Sequence, residues 1–267
     1  MSLAGLRSQP LEDEYAAFCE GVKRLCKVDL SSYKRAQMER RIRTFADGRG
    51  KPALLDYLAL LAHDPGELDR FLDRVTINVS QLWRNPTQWQ TLAEQVIPCL
   101  GAEGLVRAWS AGCSYGAELF TIAAICREVV PDARLELRGS DIDERVVTRA
   151  RAGRFSESDM RSVPPSSRER WFEPADDGWR AREELRSLTR FEVEDLLECR
   201  PPVAHYDLVC CRNTVIYFNE ASRAALHAKL AGSLRPGGWL MVGSTERVDN
   251  HDEIGLDLVY PFTYRKS

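Results

Sequence analysis

Two glycines, Gly112 and Gly116, follow a short apolar run at residues 105–110, within Trp109-Ser110-Ala111-Gly112-Cys113-Ser114-Tyr115-Gly116. Glycine lets a chain turn tightly after a strand and brings bare backbone against a nucleotide-like ligand. The full G-x-G-x-x-G fingerprint is absent, which disfavours a pyrophosphate-binding dinucleotide site. A strand–helix turn with no ligand would carry the same glycines, so this loop alone leaves both readings open. Asp141, in Asp141-Ile142-Asp143 after a second apolar run at 135–140, favours the ligand. A carboxylate at the tip of a second strand can accept two hydrogen bonds from ribose hydroxyls, the common way such sheets hold an adenosine. Asp143 reads instead as the cap of the next helix.

These residues need a sheet to carry them. Residues 105–110, 135–140 and 207–211 read as strands ending in polar residues, and 120–130 and 221–234 read as helices. Residues 239–242 and 258–264 read as two final strands. Repeated strand–helix units predict a mainly parallel, doubly wound sheet with its ligand at the carboxyl ends of the strands. Residues 160–188 break the rhythm with Pro164-Pro165, Pro174 and Asp176-Asp177-Gly178, and read as an inserted small hairpin.

The N-terminal part has a different texture. Tyr15, Phe18, Val22 and Leu25 fall at helical spacing, as do Leu54, Leu55, Leu58 and Leu61, then Leu68, Phe71, Leu72 and Val75. Asp29-Leu30-Ser31-Ser32, Gly48-Arg49-Gly50 and Asp64-Pro65-Gly66 supply breaks and caps. The expectation is a helical domain over 1–75, a linker over 76–90, and an α/β domain over 91–267 with its insertion at about 160–190. A chain of 267 residues has room for that pair.

Composition excludes several classes. The eight cysteines make no C-x-x-C pair and the four histidines are scattered, so the thiols read as reduced apolar fillers and no metal is expected. No run of 18 apolar residues and no signal-peptide pattern is present, which predicts a cytoplasmic protein. Between Tyr33 and Lys51, seven basic residues face two acidic ones. A solvated helix face or docking to something acidic would both explain that run; between Lys34 and Arg43 no aromatic interleaves with the basic residues, which argues against nucleic acid.

The turn Leu234-Arg235-Pro236-Gly237-Gly238-Trp239-Leu240, between a helix and a late strand, resembles that of the S-adenosylmethionine (SAM)-dependent methyltransferase variant of the Rossmann-like fold. Nearly the whole chain resembles the chemotaxis receptor methyltransferase (CheR) family. Thr76-Ile77-Asn78-Val79-Ser80-Gln81-Leu82-Trp83-Arg84 is similar to its T-x-N-x-T-x-F-F-R linker motif. Arg107 to Glu118 is similar to R-x-W-S-A-x-x-S-x-G-E-E, Ser140 to Asp143 to S-D-I-D, and Cys211 to Phe218 to C-R-N-x-x-I-Y-F. Gly243-Ser244-Thr245-Glu246 is similar to G-x-S-E.

The resemblance implies an α/β, Rossmann-like methyltransferase domain with a small all-helical N-terminal domain and a small β insertion. It implies transfer of a methyl group from SAM to glutamate side chains of a chemoreceptor, leaving S-adenosylhomocysteine. Carried over by position, Asn78, Ser80 and Arg84 would line the cofactor pocket from the linker, beside the Gly112 loop. Glu118 would contact the methionine end of SAM, Asp141 the ribose, Asp195 and Leu196 the adenine, and Arg212 and Asn213 would close the site. Arg84 and Tyr217 would be the catalytic pair, with Arg84 gripping the acceptor carboxylate through two parallel hydrogen bonds. Tyr33 to Arg40-Arg41-Ile42 matches the family's Y-x-x-x-x-x-x-R-R-I receptor-docking helix, so Lys34, Arg35, Arg40, Arg41 and Arg43 would meet an acidic receptor helix.

Departures are Asp195 for Asn, which removes an amide donor, Ala117 for the first Glu of G-E-E, and Leu82-Trp83 for Phe-Phe. Glutamate is ionised at neutral pH, with a reference pKa of about 4.3, so no general base is required. The alternatives are a methyltransferase of another substrate class, such as RNA or a small molecule, and a SAM-binding scaffold that has lost catalysis. Arg212-Asn213-Thr214-Val215 stands where N-methyltransferases carry an Asn/Asp-Pro-Pro-Tyr loop, which argues against the first. A monomer is expected.

Overall fold

The computed structural model describes residues 13–76 and 80–267. The chain divides into two compact units, Met1–Ile77 with Tyr217–Asn219, and Asn78–Ile216 with Glu220–Ser267. The first unit is built from α1 (Glu14–Cys26), α2 (Arg35–Asp47), α3 (Leu54–His63) and α4 (Pro65–Thr76). Asp13 caps α1 by accepting the Ala16 N–H, and Asp64 accepts the Glu67 N–H at the start of α4. Phe18, Tyr57 and Phe71 form the centre, with ring centroids 6.0–6.3 Å apart. Leu55, counted as core from its spacing, is half exposed, because α3 turns Leu54, Tyr57 and Leu61 inward instead. Tyr57 brings a polar end with it. Its hydroxyl donates to the buried Glu67 carboxylate at 3.0 Å, and Arg49 and Arg70 donate to the same group at 2.9 and 2.8 Å.

The second unit opens with α5 (Pro86–Thr91), which runs through a π-helical turn into α6 (Ile97–Gly101). Strand–helix repeats follow: β1 (Leu105–Ala111), α7 (Ala117–Val129), β2 (Arg134–Asp141) and α8 (Glu144–Ala152). A separate three-stranded antiparallel sheet holds β3 (Arg154–Phe155), β4 (Phe172–Ala175) and β5 (Gly178–Ala181), with α9 (Pro165–Trp171) between β3 and β4. It therefore begins at Arg154, before the irregular sequence that announced it. Next come α10 (Glu183–Arg186), β6 (Thr189–Val193), β7 (Tyr206–Cys211), α11 (Glu220–Ser233), β8 (Leu234–Val242), β9 (Leu256–Tyr260) and β10 (Thr263–Lys266).

The main sheet has the order β6-β2-β1-β7-β8-β10-β9, parallel except for β10, which pairs antiparallel with β8 and β9. Every residue of β7 is buried, as a central parallel strand requires. Three sequence expectations shift. β6 was not read as a strand, because its outward residues are charged and only Phe191 is buried. The run at 258–264 is two strands turning at Pro261-Phe262, with Phe262 at φ 61°. The Pro236-Gly237-Gly238 turn lies within β8, where the register with β7 slips between Tyr206 and Leu208. α7 is buried at every position from Ala117 to Cys126, and its Phe120 packs on Phe155 and Phe191 at 5.5 and 5.6 Å. Among the described residues, no helix is long and apolar enough to cross a membrane.

His227 points into the core from α11, 1% exposed, and its Nε2 has no partner among the described residues. Burial, with a smaller push from Arg223 and opposed by Asp249, lowers its pKa to about 4. Because the folded-state value lies below the ordinary one, the stability involved is whole above about pH 6.5 and is lost as pH falls through 4. The wild type should lose about 3 kcal/mol more than a His227→Leu variant between pH 7 and 4, read by urea unfolding across that range.

Candidate active site

The loop after β1 is shaped by backbone bonds to the end of β2. Gly112 and Cys113 both donate to the Ser140 carbonyl at 2.9 Å. Gly112 has φ +77°, and a Cβ there would stand 2.5 Å from Thr214 Oγ1, so only glycine fits. Gly116 has φ +88° and caps α7, with Phe191 2.9 Å from where its Cβ would be. The Ser114 N–H reaches Asp141 Oδ2 at 2.8 Å, and the Asp143 N–H reaches Oδ1 at 3.1 Å. Burial raises the Asp141 carboxyl above its ordinary pKa against these two donors. Asp143 caps α8 through the Arg145 N–H and pairs with the Arg145 guanidinium at 2.7 Å. The Glu194 N–H bonds the Asp141 carbonyl at 2.8 Å, which sets the Asp195-Leu196 turn beside the same strand end.

A second set of groups gathers on Arg212, at the end of β7. Its side chain is 3% exposed, and its Nη2 donates to the Arg84 carbonyl at 2.7 Å, to Gln88 Oε1 at 2.8 Å and to Asn85 Oδ1 at 3.2 Å. Nη1 lies 3.5 Å from Glu118 Oε2, and the guanidinium sits 4.7 Å over the Trp89 ring. Trp89 Nε1 donates to the same Arg84 carbonyl at 2.8 Å. Trp83 and Asn85 flank Arg84 at φ 51° and 60°, conformations that persist only where the surroundings over-determine them. Glu118 accepts from Ser110 Oγ at 2.7 Å, and burial raises its pKa against Arg212 and Ser110.

Glu246 performs a similar task for the loop after β7. Its Oε2 accepts the N–H groups of Asn213 and Gly243, each at 2.7 Å, and Asn213 takes φ 59°. Burial raises this carboxyl too. Asp195 Oδ1 accepts the Leu197 N–H at 2.8 Å, an Asx turn that an Asn would make identically. Lys229 ties the carbonyls of Leu196 and Leu197 at 2.8 and 2.6 Å. The Ser80 carbonyl accepts from the Tyr115 hydroxyl. Asn78 lies outside the described residues.

The remaining candidates belong to the helical unit. The Tyr217 carbonyl accepts the Lys34 N–H at 2.9 Å, the Arg41 guanidinium stands 5.7 Å over the Tyr217 ring, and Phe218 packs edge-on to Tyr33 at 5.0 Å. Arg35 pairs with Asp13 and Glu39, and Arg43 with Glu14 and Glu39. The basic run is thus partly neutralised within its own unit. Lys34, Arg40 and Arg41 make no ion pair among the described residues.

The structure therefore brings Gly112, Glu118, Asp141, Asp195, Leu196, Arg212, Asn213 and the Arg84 backbone to the carboxyl edge of one sheet. The Ser114 hydroxyl is buried there without a partner among the described residues, one residue from the carbonyl-bound turn, and the Ser114 N–H bonds Asp141. A ligand carrying vicinal hydroxyls would satisfy both groups, so the residues fit an adenosine. Arg212 Nη1 and Nη2 are occupied by Arg84, Asn85, Gln88 and Glu118, while its buried Nε has no partner among the described residues and is the one donor left for a cofactor contact. Sequence reasoning missed Gln88, Trp89 and Glu246 as site builders. Glu246 had a signal in its G-x-S-E match, whereas Gln88 and Trp89 had none. Replacing Arg212 by Met should cost about 3–5 kcal/mol in urea unfolding, since Glu118 is left buried without its counter-charge. Arg212→Lys should recover only part of that loss, because a single ammonium cannot serve acceptors arranged around a planar fork.

Comparison with known proteins agrees with this geometry. Residues 78–257 match the family described as CheR methyltransferase, SAM binding domain, and residues 13–76 match CheR methyltransferase, all-alpha domain. The chain is 33% identical over 259 residues to a "Chemotaxis protein methyltransferase" of Listeria innocua, covering 96% of this chain and 98% of that one. It is 32% identical, with the same coverage, to the protein of that name from Listeria monocytogenes. It is also 27% identical to a "Probable biofilm formation methyltransferase WspC" of Pseudomonas aeruginosa, over 90% of this chain and 59% of that one. With both halves matched and the glycine loop, the strand-end Asp141 and the Arg212 cluster in place, the chain belongs to the CheR family of SAM-dependent methyltransferases.

Proposed function

We propose that this protein methylates glutamate side chains on the cytoplasmic helical domain of a chemoreceptor, as an adaptation step in chemotaxis-type signalling. The observation that carries the reading is the likeness to chemotaxis protein methyltransferases over 96% of the chain. The WspC likeness extends the range of pathways such a receptor would serve. Bound SAM supplies an electrophilic methyl on sulfur, so transfer to a glutamate oxygen yields the methyl ester and S-adenosylhomocysteine.

The chain's own residues then have three tasks. Asp141, with the Gly112 loop and Ser114, holds the ribose. Glu118 faces the methionine end, and the Asp195-Leu196 turn takes the adenine through backbone groups, with Asn78 and Ser80 completing the wall and Asn213 closing it. Arg84 orients the acceptor carboxylate, with Tyr217 as a second donor; alignment of a nucleophile that is already ionised is worth roughly 7–11 kcal/mol. Arg212 holds the Arg84 carbonyl in place through Nη2 and keeps its Nε for the cofactor side. Lys34, Arg40 and Arg41 offer the charge that an acidic receptor helix would meet, so docking should weaken with salt. Asp195 keeps the turn that an Asn would make, which favours an active enzyme over a scaffold.

Calorimetric titration with SAM, followed by transfer of labelled methyl to receptor-containing membranes, tests the reading. SAM should bind, and Asp141→Ala should weaken it about 100-fold, the loss of two charge-assisted hydrogen bonds. Arg84→Ala should fold and bind SAM while transfer falls by about 10²-fold. The label should leave as methanol under mild alkali, as an ester does. Label that resists alkali, or that appears in RNA, would move the protein to another substrate class. Binding with no transfer to any receptor would make it a scaffold.

A further inference from the structure

Tyr115 lies inside the cofactor loop, between Ser114, whose N–H holds Asp141, and Gly116, which caps α7. It is 4% exposed. Its hydroxyl donates to the Ser80 carbonyl and lies 2.8 Å from Asp159 Oδ1. The other Asp159 oxygen accepts the N–H and hydroxyl of Ser156, each at 2.8 Å, and so caps the 3-10 turn Glu157–Met160 that follows β3. Arg149 lies 3.9 Å over the Tyr115 ring and reaches Asp159 at 3.3 Å. A second tie runs parallel, from Gln81 Nε2 to Ser162 Oγ at 3.0 Å. One phenol therefore joins three segments distant in sequence: the cofactor loop, the chain at Ser80-Gln81, and the base of the small sheet.

We propose that Tyr115 is a positioning residue for cofactor binding: its hydroxyl straps Ser80-Gln81 and the Asp159 turn to the SAM loop. The strap acts before any acceptor is present. Ser80 stands four residues before Arg84, whose carbonyl is fixed independently by Arg212 and Trp89. Fixing Ser80 at the other end leaves this piece of chain held at two points, against the loop that takes the cofactor. The single O–H proton is shared between a carbonyl and a carboxylate, the carboxylate makes the bond charge-assisted, and the stacked guanidinium keeps that carboxylate partly neutralised. The site thus draws on the inserted sheet for its order, although no residue of β3, β4 or β5 belongs to the cofactor loop.

The test is SAM titration of Tyr115→Phe, with no receptor present, so its outcome is independent of which acceptor the enzyme uses. The variant should bind SAM about tenfold more weakly, the value of one such hydroxyl. Amide hydrogen exchange at residues 81–83 should quicken, and the ligand-free melting temperature should move by no more than about 2 °C. Trp171→Phe, which removes the indole bond to Glu128, controls for simple destabilisation of the small sheet and should leave SAM affinity unchanged. Unaltered affinity in Tyr115→Phe overturns the proposal whatever its melting temperature does. So does weaker binding without faster exchange at 81–83, or an equal loss in Trp171→Phe. Should Tyr115→Phe fail to fold, Arg149→Gln at a half-exposed side chain serves instead. Roughly threefold weaker binding with the same exchange signature supports the strap, and no change in either refutes it.

Discussion

A buried guanidinium must be met by acceptors, and at Arg212 that requirement organises the α/β unit. β7 lies at the centre of the sheet, so the residue after it emerges at the carboxyl edge, with no bulk water to solvate a charge. The acceptors that answer it come from the segment leading into α5, from α5 itself and from the first turn of α7. None could drift without leaving a cation unsolvated, and that cost far exceeds the value of any one of the bonds. The same constraint explains the left-handed backbone at Trp83 and Asn85. Turning the Arg84 carbonyl inward toward Arg212 and Trp89 requires it, and the bonds offset the strain.

Carboxylates complete the arrangement. Asp141, Glu118 and Glu246 all lie at the same sheet edge, each buried, and each has its pKa raised by that burial. Two of them spend their oxygens largely on backbone N–H groups and so act as templates for loops, at Ser114-Tyr115 and at Asn213. The loops of the site are therefore held by charge and backbone, beside the side-chain bonds gathered on Arg212 and Glu118. A loop fixed by N–H donors keeps its form when the side chains along it vary. Asp195 shows the point directly, since its Asx turn needs only the oxygen that Asp and Asn share.

The helical unit depends on a different balance. Its core is aromatic and apolar, with Glu67 buried among Tyr57, Arg49 and Arg70. The basic run on α2, prominent in the sequence, is partly consumed by Asp13, Glu14 and Glu39. A charge count along a chain cannot register this, because two of the neutralising carboxylates lie more than twenty residues away on α1. What remains without an ion pair on α2 and its cap, among the described residues, is the narrower set of Lys34, Arg40 and Arg41.

Much of this was legible beforehand. Apolar runs ending in Gly112, Asp141 and Arg212 marked three strand ends, because a parallel strand must be buried along its length and polar where it leaves the sheet. Five motif blocks and the two-part family pattern pointed to SAM. β6 was not legible, since an edge strand with one solvated face carries no continuous apolar signal. Neither were Gln88 and Trp89, whose partners lie far along the chain. The sequence by itself determined the order of elements, the turns that demand glycine, and the acid at the tip of β2, since those follow from local conformation and burial. Only the tertiary structure decided that Arg212 serves Arg84, that Glu246 holds Asn213, and that Tyr115 reaches both Ser80 and Asp159. Each of these is a charge or hydroxyl satisfied across dozens of residues, and such a partner is fixed by packing in three dimensions.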